Sequence, residues 1–166
     1  WGGMEIERKF LIPPSASELP AGPWTTLRQG YLASGAAGEV RLRDAGGALT
    51  LTVKSGAGLV REEREIELTP SQFEALWPLT AGRRIEKRRA VIPVGELRYE
   101  VDVFEGALAG LAVTEVEFPT LADAQAFRPP AWFGTEVTED ARYTNAALAL
   151  GGLPDAPPRD GDVAAP

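Results

Sequence analysis

The chain has no cysteine and no histidine among its 166 residues. Without cysteine there is no disulfide, no thiolate zinc site and no thiol nucleophile, a pattern compatible with the cytoplasm. Without histidine, a Ser-His-Asp triad, a histidine acid/base pair and a histidine-bound zinc are all excluded. Any metal must be held by oxygen, which points to magnesium, manganese or calcium. No apolar run approaches the ~20 residues needed to span a bilayer, and the start lacks a basic-then-apolar leader, so no membrane association is expected. The net charge of −7 argues against a nucleic-acid binder. It leaves room for an anionic ligand if the cations gather in one interior.

A hydrophobic fraction of 44% and a charged fraction of 25% suit one soluble domain with a sizeable core. Trp1-Gly2-Gly3 ahead of Met4 reads as an expression remnant. Residues 4–152 read as the domain, and residues 153–166, rich in Pro, Asp and Ala, as a flexible tail. Alternation of apolar and charged residues predicts strands over 4–12, 27–33, 39–43, 49–54, 61–68, 84–94, 97–103 and 112–118. Residues 13–26, with four prolines, read as a loop. Thr69-Pro70-Ser71-Gln72 has the form of a capping box and starts a helix with Phe73, Leu76 and Trp77 on its buried side, stopped by Pro78. A short helix is expected over 120–127, and a last one from a cap at Thr138 or Asp140 to Leu150.

One face of strand after strand carries charge, because side chains alternate along a strand. The ridges are Glu5, Glu7, Lys9; Arg41, Arg43; Lys54; Glu63, Glu65, Glu67; Lys87, Arg89; Arg98, Glu100, Asp102; and Glu115, Glu117. An open sheet would turn these ridges to water. A sheet closed into a barrel of about eight strands would turn them inward and leave the apolar faces outside under helices. Carboxylates ~4 Å apart repel by about 1 kcal/mol in water and several-fold more in a poorly solvated channel. Such a lumen therefore needs cations beside the acids and anions beside the Arg/Lys set, which divalent metal and polyphosphate together supply. Pattern alone leaves both architectures open.

Met4-Glu5-Ile6-Glu7-Arg8-Lys9-Phe10 resembles the Glu-x-Glu-x-Lys signature of the CYTH superfamily, the triphosphate tunnel metalloenzymes. The likeness continues, in order, through Gln29-Gly30-Tyr31-Leu32, Val40-Arg41-Leu42-Arg43, Leu51-Thr52-Val53-Lys54, Arg64-Glu65-Ile66-Glu67-Leu68, Glu86-Lys87-Arg88-Arg89, Glu100-Val101-Asp102-Val103, Thr114-Glu115-Val116-Glu117-Phe118 and Val137 to Asn145. The resemblance implies a mainly β (α+β) fold: an eight-stranded antiparallel β-barrel tunnel with a charged interior and a few flanking helices. It also implies chemistry on triphosphates that depends on Mg2+ or Mn2+. The run looks most like small bacterial members that hydrolyse inorganic triphosphate. Thiamine triphosphatase, nucleoside triphosphatase and adenylate cyclase are the rival enzymes, and a polyphosphate- or nucleotide-binding module without turnover is the rival of another class.

By the same resemblance, Glu5 and Glu7 match the metal-binding acids of the signature, and Asp102, Glu115 and Glu117 match a second acidic cluster. Arg41, Arg43, Lys54, Lys87 and Arg89 match the phosphate-binding cations, whose guanidinium forks grip phosphate oxygens in pairs. Lys9 is expected to position or activate the attacking water, or to be one more phosphate contact. Glu65 and Glu67 join the metal shell or pair with arginines; Arg98 and Arg142 are weaker contacts, and Gln29 and Tyr31 are wall or mouth residues. The partner expected is a small-molecule triphosphate, with the protein a monomer or homodimer.

Overall fold

The computed structural model describes residues 6–14, 19–55 and 62–155. Eight strands form one antiparallel sheet: β1 (Ile6–Leu11), β2 (Thr25–Gly35), β3 (Gly38–Ala45), β4 (Ala48–Ser55), β5 (Glu62–Glu67), β6 (Arg84–Val94), β7 (Leu97–Phe104) and β8 (Ala112–Phe118). Their order across the sheet is β1-β8-β7-β6-β2-β3-β4-β5. The eight strands are where the alternation placed them, but the barrel expected from the sequence is not closed. Among the described residues no ladder joins β1 to β5. The free edge of β1 is occupied instead by residues 134–138. Leu11 N donates to Thr135 O (2.8 Å), Gly134 N to Leu11 O (2.7 Å) and Val137 N to Lys9 O (2.8 Å), and the Lys9 N–H reaches Thr138 Oγ1 (3.0 Å). A strand whose edge is already hydrogen-bonded cannot pair again, so the sheet curls without sealing.

Three short helices complete the fold: α1 (Pro70–Leu76), α2 (Leu121–Ala126) and α3 (Asn145–Gly151). The capping box at Thr69 is present, with Gln72 N donating to the Thr69 hydroxyl and the Thr69 N–H donating to the Gln72 side chain. Phe73 is buried and stacks on Trp77 at 5.2 Å between ring centroids. Pro78 does not end the helical path at once, because a 3-10 turn runs on over Trp77–Thr80. That turn packs against β2, where glycine is required: a Cβ on Gly30 would sit 2.5 Å from the Thr80 side chain. The last helix also starts later than the sequence suggests. Asp140 caps only a 3-10 turn over Ala141–Tyr143, and Thr144 caps α3, accepting from Ala147 N (3.2 Å). The Ala/Leu run then propagates, and Gly152 ends it at φ 75°.

Two apolar clusters hold opposite faces of the sheet. On the convex face Phe10, Tyr99, Val116 and Phe118 are buried beneath α2 and the aromatic stretch that follows, with Phe10 and Phe133 rings 5.0 Å apart. Arg8 fastens the cover from the same face, gripping Glu136 with two guanidinium nitrogens and donating to Ala124 O and Phe127 O. The second cluster lies on the concave face, where Tyr31, Ile85, Phe104 and Val113 pack against Leu148 and Ala149 of α3. The inner ridges are thus apolar at one end and charged beyond it: Leu11, Lys9, Glu7 on β1; Val113, Glu115, Glu117 on β8; Ile85, Lys87, Arg89 on β6. Helix α3 sits on the apolar end and stops the bore there.

Candidate active site

The cavity left by the curl and by α3 has a volume of about 670 Å³, and every one of the eight strands contributes to its wall. Most of the cations come from the middle of the sheet and most of the acids from its two sides, with Glu39 on β3 and Lys9 on β1 as exceptions. Arg41 and Arg43 on β3, Lys54 on β4 and Arg89 on β6 face Glu7 and Lys9 on β1 and Glu115 and Glu117 on β8. Glu63 and Glu65 on β5 and Glu100 on β7 are also in the wall. Register explains the grouping: Glu7 lies directly opposite Glu117, Lys9 opposite Glu115, and Glu100 opposite Glu115. Carboxylates opposed across a strand pair repel, so the acid side of the wall favours a cation.

The cation side is under the converse stress. Burial, then the neighbouring Arg41 and Arg89, press the Arg43 guanidinium down to about 10. Arg41 is buried, and among the described residues its Nε has no hydrogen-bond partner. A buried charged nitrogen left without an acceptor costs free energy until an anion meets it. Arg43 is aimed by Gln29, whose Oε1 accepts from Arg43 Nε (3.3 Å) and a terminal nitrogen (3.2 Å) while its Nε2 donates to the Tyr31 hydroxyl (3.1 Å). Gln29 is fully buried and outside the lining, so it stands behind the wall and fixes Tyr31 and Arg43, which are part of it. Burial pushes the Tyr31 phenol up.

Lys9 enters the cavity between two anchors. Its ammonium lies 3.2 Å from Glu115 Oε1 and donates to the Tyr143 carbonyl at 3.1 Å. Lys87 and Asp102 do not join the lining. They form an ion pair at 2.8 Å that is 0% and 1% exposed, one layer behind Arg89. Asp102, expected as a further metal acid, has both oxygens engaged: Oδ1 accepts from Arg89 Nε (2.7 Å), and Oδ2 from Lys87 (2.8 Å) and an Arg89 terminal nitrogen (2.9 Å). Burial pushes the Asp102 carboxyl up, but Lys87 and Arg89 together outweigh it and hold it below the usual carboxylate range. Asp102 is therefore a counter-ion that aims Arg89, because a carboxylate already holding three N–H donors has little left for a metal.

Three other expected residues are elsewhere. Arg98 and Glu67 stand near strand ends outside the lining, and Arg142 lies on the surface, paired with Asp140 at 2.7 Å. Glu5 lies outside the described residues. Lining residues given no role from the sequence include Ser34, Glu39, Glu63, Glu100, Thr144 and Asn145. Glu63 and Glu100 stand on the charged ridges that the alternation marked, and only a role for them was missing. Ser34 could not be found that way: an extra residue near Leu32 makes a bulge in β2 and shifts the phase of the strand. Thr144 and Asn145 lie on a helix end, where strand alternation carries no information.

Among the described residues no three acidic side chains already form a metal cage. That does not exclude Mg2+ or Mn2+, since such ions bind through one or two carboxylates, waters and substrate phosphates rather than a full protein cage. Glu7 and Glu117, opposed in register with Glu115 beside them, fit that requirement.

No family model matches the chain. An inorganic triphosphatase of Nitrosomonas europaea is 53% identical over 150 residues, spanning 88% of this chain and 97% of the relative. One from Acetivibrio thermocellus is 36% identical over 149 residues, spanning 88% of this chain and 93% of the relative. The crystal structure of an inorganic triphosphatase superposes with a TM-score of 0.71 at 47% identity, covering 89% of this chain and 95% of the other. With sequence and curled sheet both shared over nearly the whole relative, the chain belongs to the family of inorganic triphosphatases, within the CYTH or triphosphate-tunnel superfamily.

Proposed function

We propose that this protein hydrolyses inorganic triphosphate to pyrophosphate and phosphate, with Mg2+ or Mn2+ as cofactor. The observation that carries the reading is the divided wall. Arg41, Arg43, Lys54 and Arg89 converge on one cavity with Glu7, Glu115 and Glu117, and Arg41 Nε lacks an acceptor among the described residues. The polyanion would lie against the cations, and the acids would hold the divalent ion. When bound, that ion supplies positive charge that neutralises phosphate oxygens. Glu7, Glu115 and Glu117 are the residues that would hold it, with Glu5 joining them by its place in the signature.

Water attacks the terminal phosphorus in line with the bridging oxygen that leaves. Arg41, Arg43, Lys54 and Arg89 match the charge spread over the phosphoryl oxygens, so catalysis is mainly positioning and electrostatics. Lys9, tethered by Glu115 and the Tyr143 carbonyl, holds its ammonium at the water or at the phosphate that it attacks. We assign the activity to residues 4–152, in a monomer or homodimer acting in the cytoplasm; no described helix is long and apolar enough to cross a membrane.

Replacing Glu117 with Gln removes a metal charge while keeping the shape. Metal-dependent phosphate release from tripolyphosphate is expected to fall by at least ~100-fold, on the scale of losing one electrostatic group in a catalytic site. Unchanged turnover would remove Glu117 from the site. Incubation with tripolyphosphate, ATP and thiamine triphosphate, followed by product separation, tests the substrate: cyclic AMP with pyrophosphate from ATP would replace the hydrolase reading with a cyclase. Tight tripolyphosphate binding with no release across several metals would make the protein a binding module.

A further inference from the structure

Asn145 is the first residue of α3, lies in the cavity wall and comes from outside the sheet that supplies every charged wall group. Its Oδ1 accepts from the buried Lys87 ammonium at 3.4 Å. An ammonium can only donate, so the amide oxygen must face Lys87 and the orientation of the side chain is not free to reverse. The NH2 group is thereby turned away from Lys87, and the Lys87 contact is the hydrogen bond recorded for this side chain among the described residues. Lys87 itself cannot swing to reverse this, because Asp102 holds it at 2.8 Å with no exposure.

We propose that Asn145 is a substrate-contacting residue, its Nδ2 donating to a phosphate oxygen at the α3 end of the cavity. The inference rests on the reading of the cavity as a triphosphate site. It adds to that reading a neutral donor on the stopper helix. Such a donor has a distinct use. The arginines and lysines attract any polyanion, whereas an amide fixed by a buried ion pair donates to an oxygen only where the chain of phosphates ends correctly against α3. The Lys87–Asp102 pair then has two tasks, to aim Arg89 on one side and to set the Asn145 amide on the other.

The test compares the wild type with Asn145→Ala and Asn145→Asp, measuring tripolyphosphate hydrolysis, tripolyphosphate binding by calorimetry without divalent metal, and Tm. Losing a hydrogen bond to a charged oxygen is expected to raise KM and the dissociation constant by about tenfold or more in Asn145→Ala, with kcat within about threefold and Tm within a few degrees. Asn145→Asp keeps the shape but turns a donor into an anion, and its binding is expected to be weaker still. Unchanged KM and affinity in Asn145→Ala would overturn the proposal. So would a fall in Tm with unaltered affinity, which marks a helix-packing role. If Asn145→Ala does not fold, affinity in Asn145→Asp equal to wild type overturns it equally. Should the wild type bind tripolyphosphate without hydrolysing it, the enzyme reading fails while the calorimetry still decides the role of Asn145.

Discussion

Asp102 shows how one side chain can matter without touching a ligand. It neutralises a fully buried lysine and orients the arginine in front of it. Removing one partner of a buried ion pair strands the other, so Asp102→Ala is expected to cost about 3–5 kcal/mol of stability. Denaturant unfolding measures this, and a loss below about 1 kcal/mol would mean Lys87 is not held as described. The sequence marked Asp102 as an acid on the right face but could not say that two cations would claim it. Strand parity fixes the face of a residue, not its depth along the bore. Lys87 and Arg89 share a face of β6, yet one is sealed and the other lines the cavity.

Helix ends and strand edges govern the next scale. The capping box at Thr69 was legible because its signal is local, within four residues. Thr69→Ala is expected to cost about 1 kcal/mol, seen as a lower Tm with tripolyphosphate turnover unaltered, since α1 lies outside the cavity wall. A simultaneous fall in turnover would show that α1 and the site are coupled. The start of α3 was not legible. Asp140 and Thr144 are both good caps, and which one starts the longer helix depends on the fit of Leu148 and Ala149 onto Ile85 and Phe104. The same holds for the open barrel: alternation identified every strand, but nothing local says that residues 134–138 take the edge β5 would have needed.

At the scale of the whole molecule, a cavity of crowded cations and opposed acids is stabilised by what it binds. Tripolyphosphate with Mg2+ at 100 times its dissociation constant is expected to add about 2.7 kcal/mol, or roughly 5–10 °C in Tm for a chain of this size. Thermal denaturation of the wild type with and without the ligand, using a non-hydrolysable imido analogue of tripolyphosphate to prevent turnover, measures it; no shift would mean the cavity does not take the polyanion. Acid acts in the opposite direction. Asp102 is held low by Lys87 and Arg89, Glu136 by the hydrogen bond from Arg8, and Asp44 by that from Arg28. Groups whose folded values lie below their unfolded ones contribute fully above the unfolded value and lose that contribution as pH falls through the folded one. Stability is therefore expected to be flat near neutrality and to fall below about pH 4, read as Tm against pH; a fall already complete at pH 6 would contradict it.

The sequence by itself determined the strands, the parity of the charged ridges, the exclusion of histidine and thiol chemistry, and through ordered motifs the family. These follow from local alternation and residue type, which survive in one dimension. Tertiary structure alone decided which charges meet, which are sealed behind the wall, where α3 stops the bore and why the sheet does not close. Each of those depends on which distant segment reaches an edge or an end first, and hydrogen bonding and burial settle that only when the whole chain is folded.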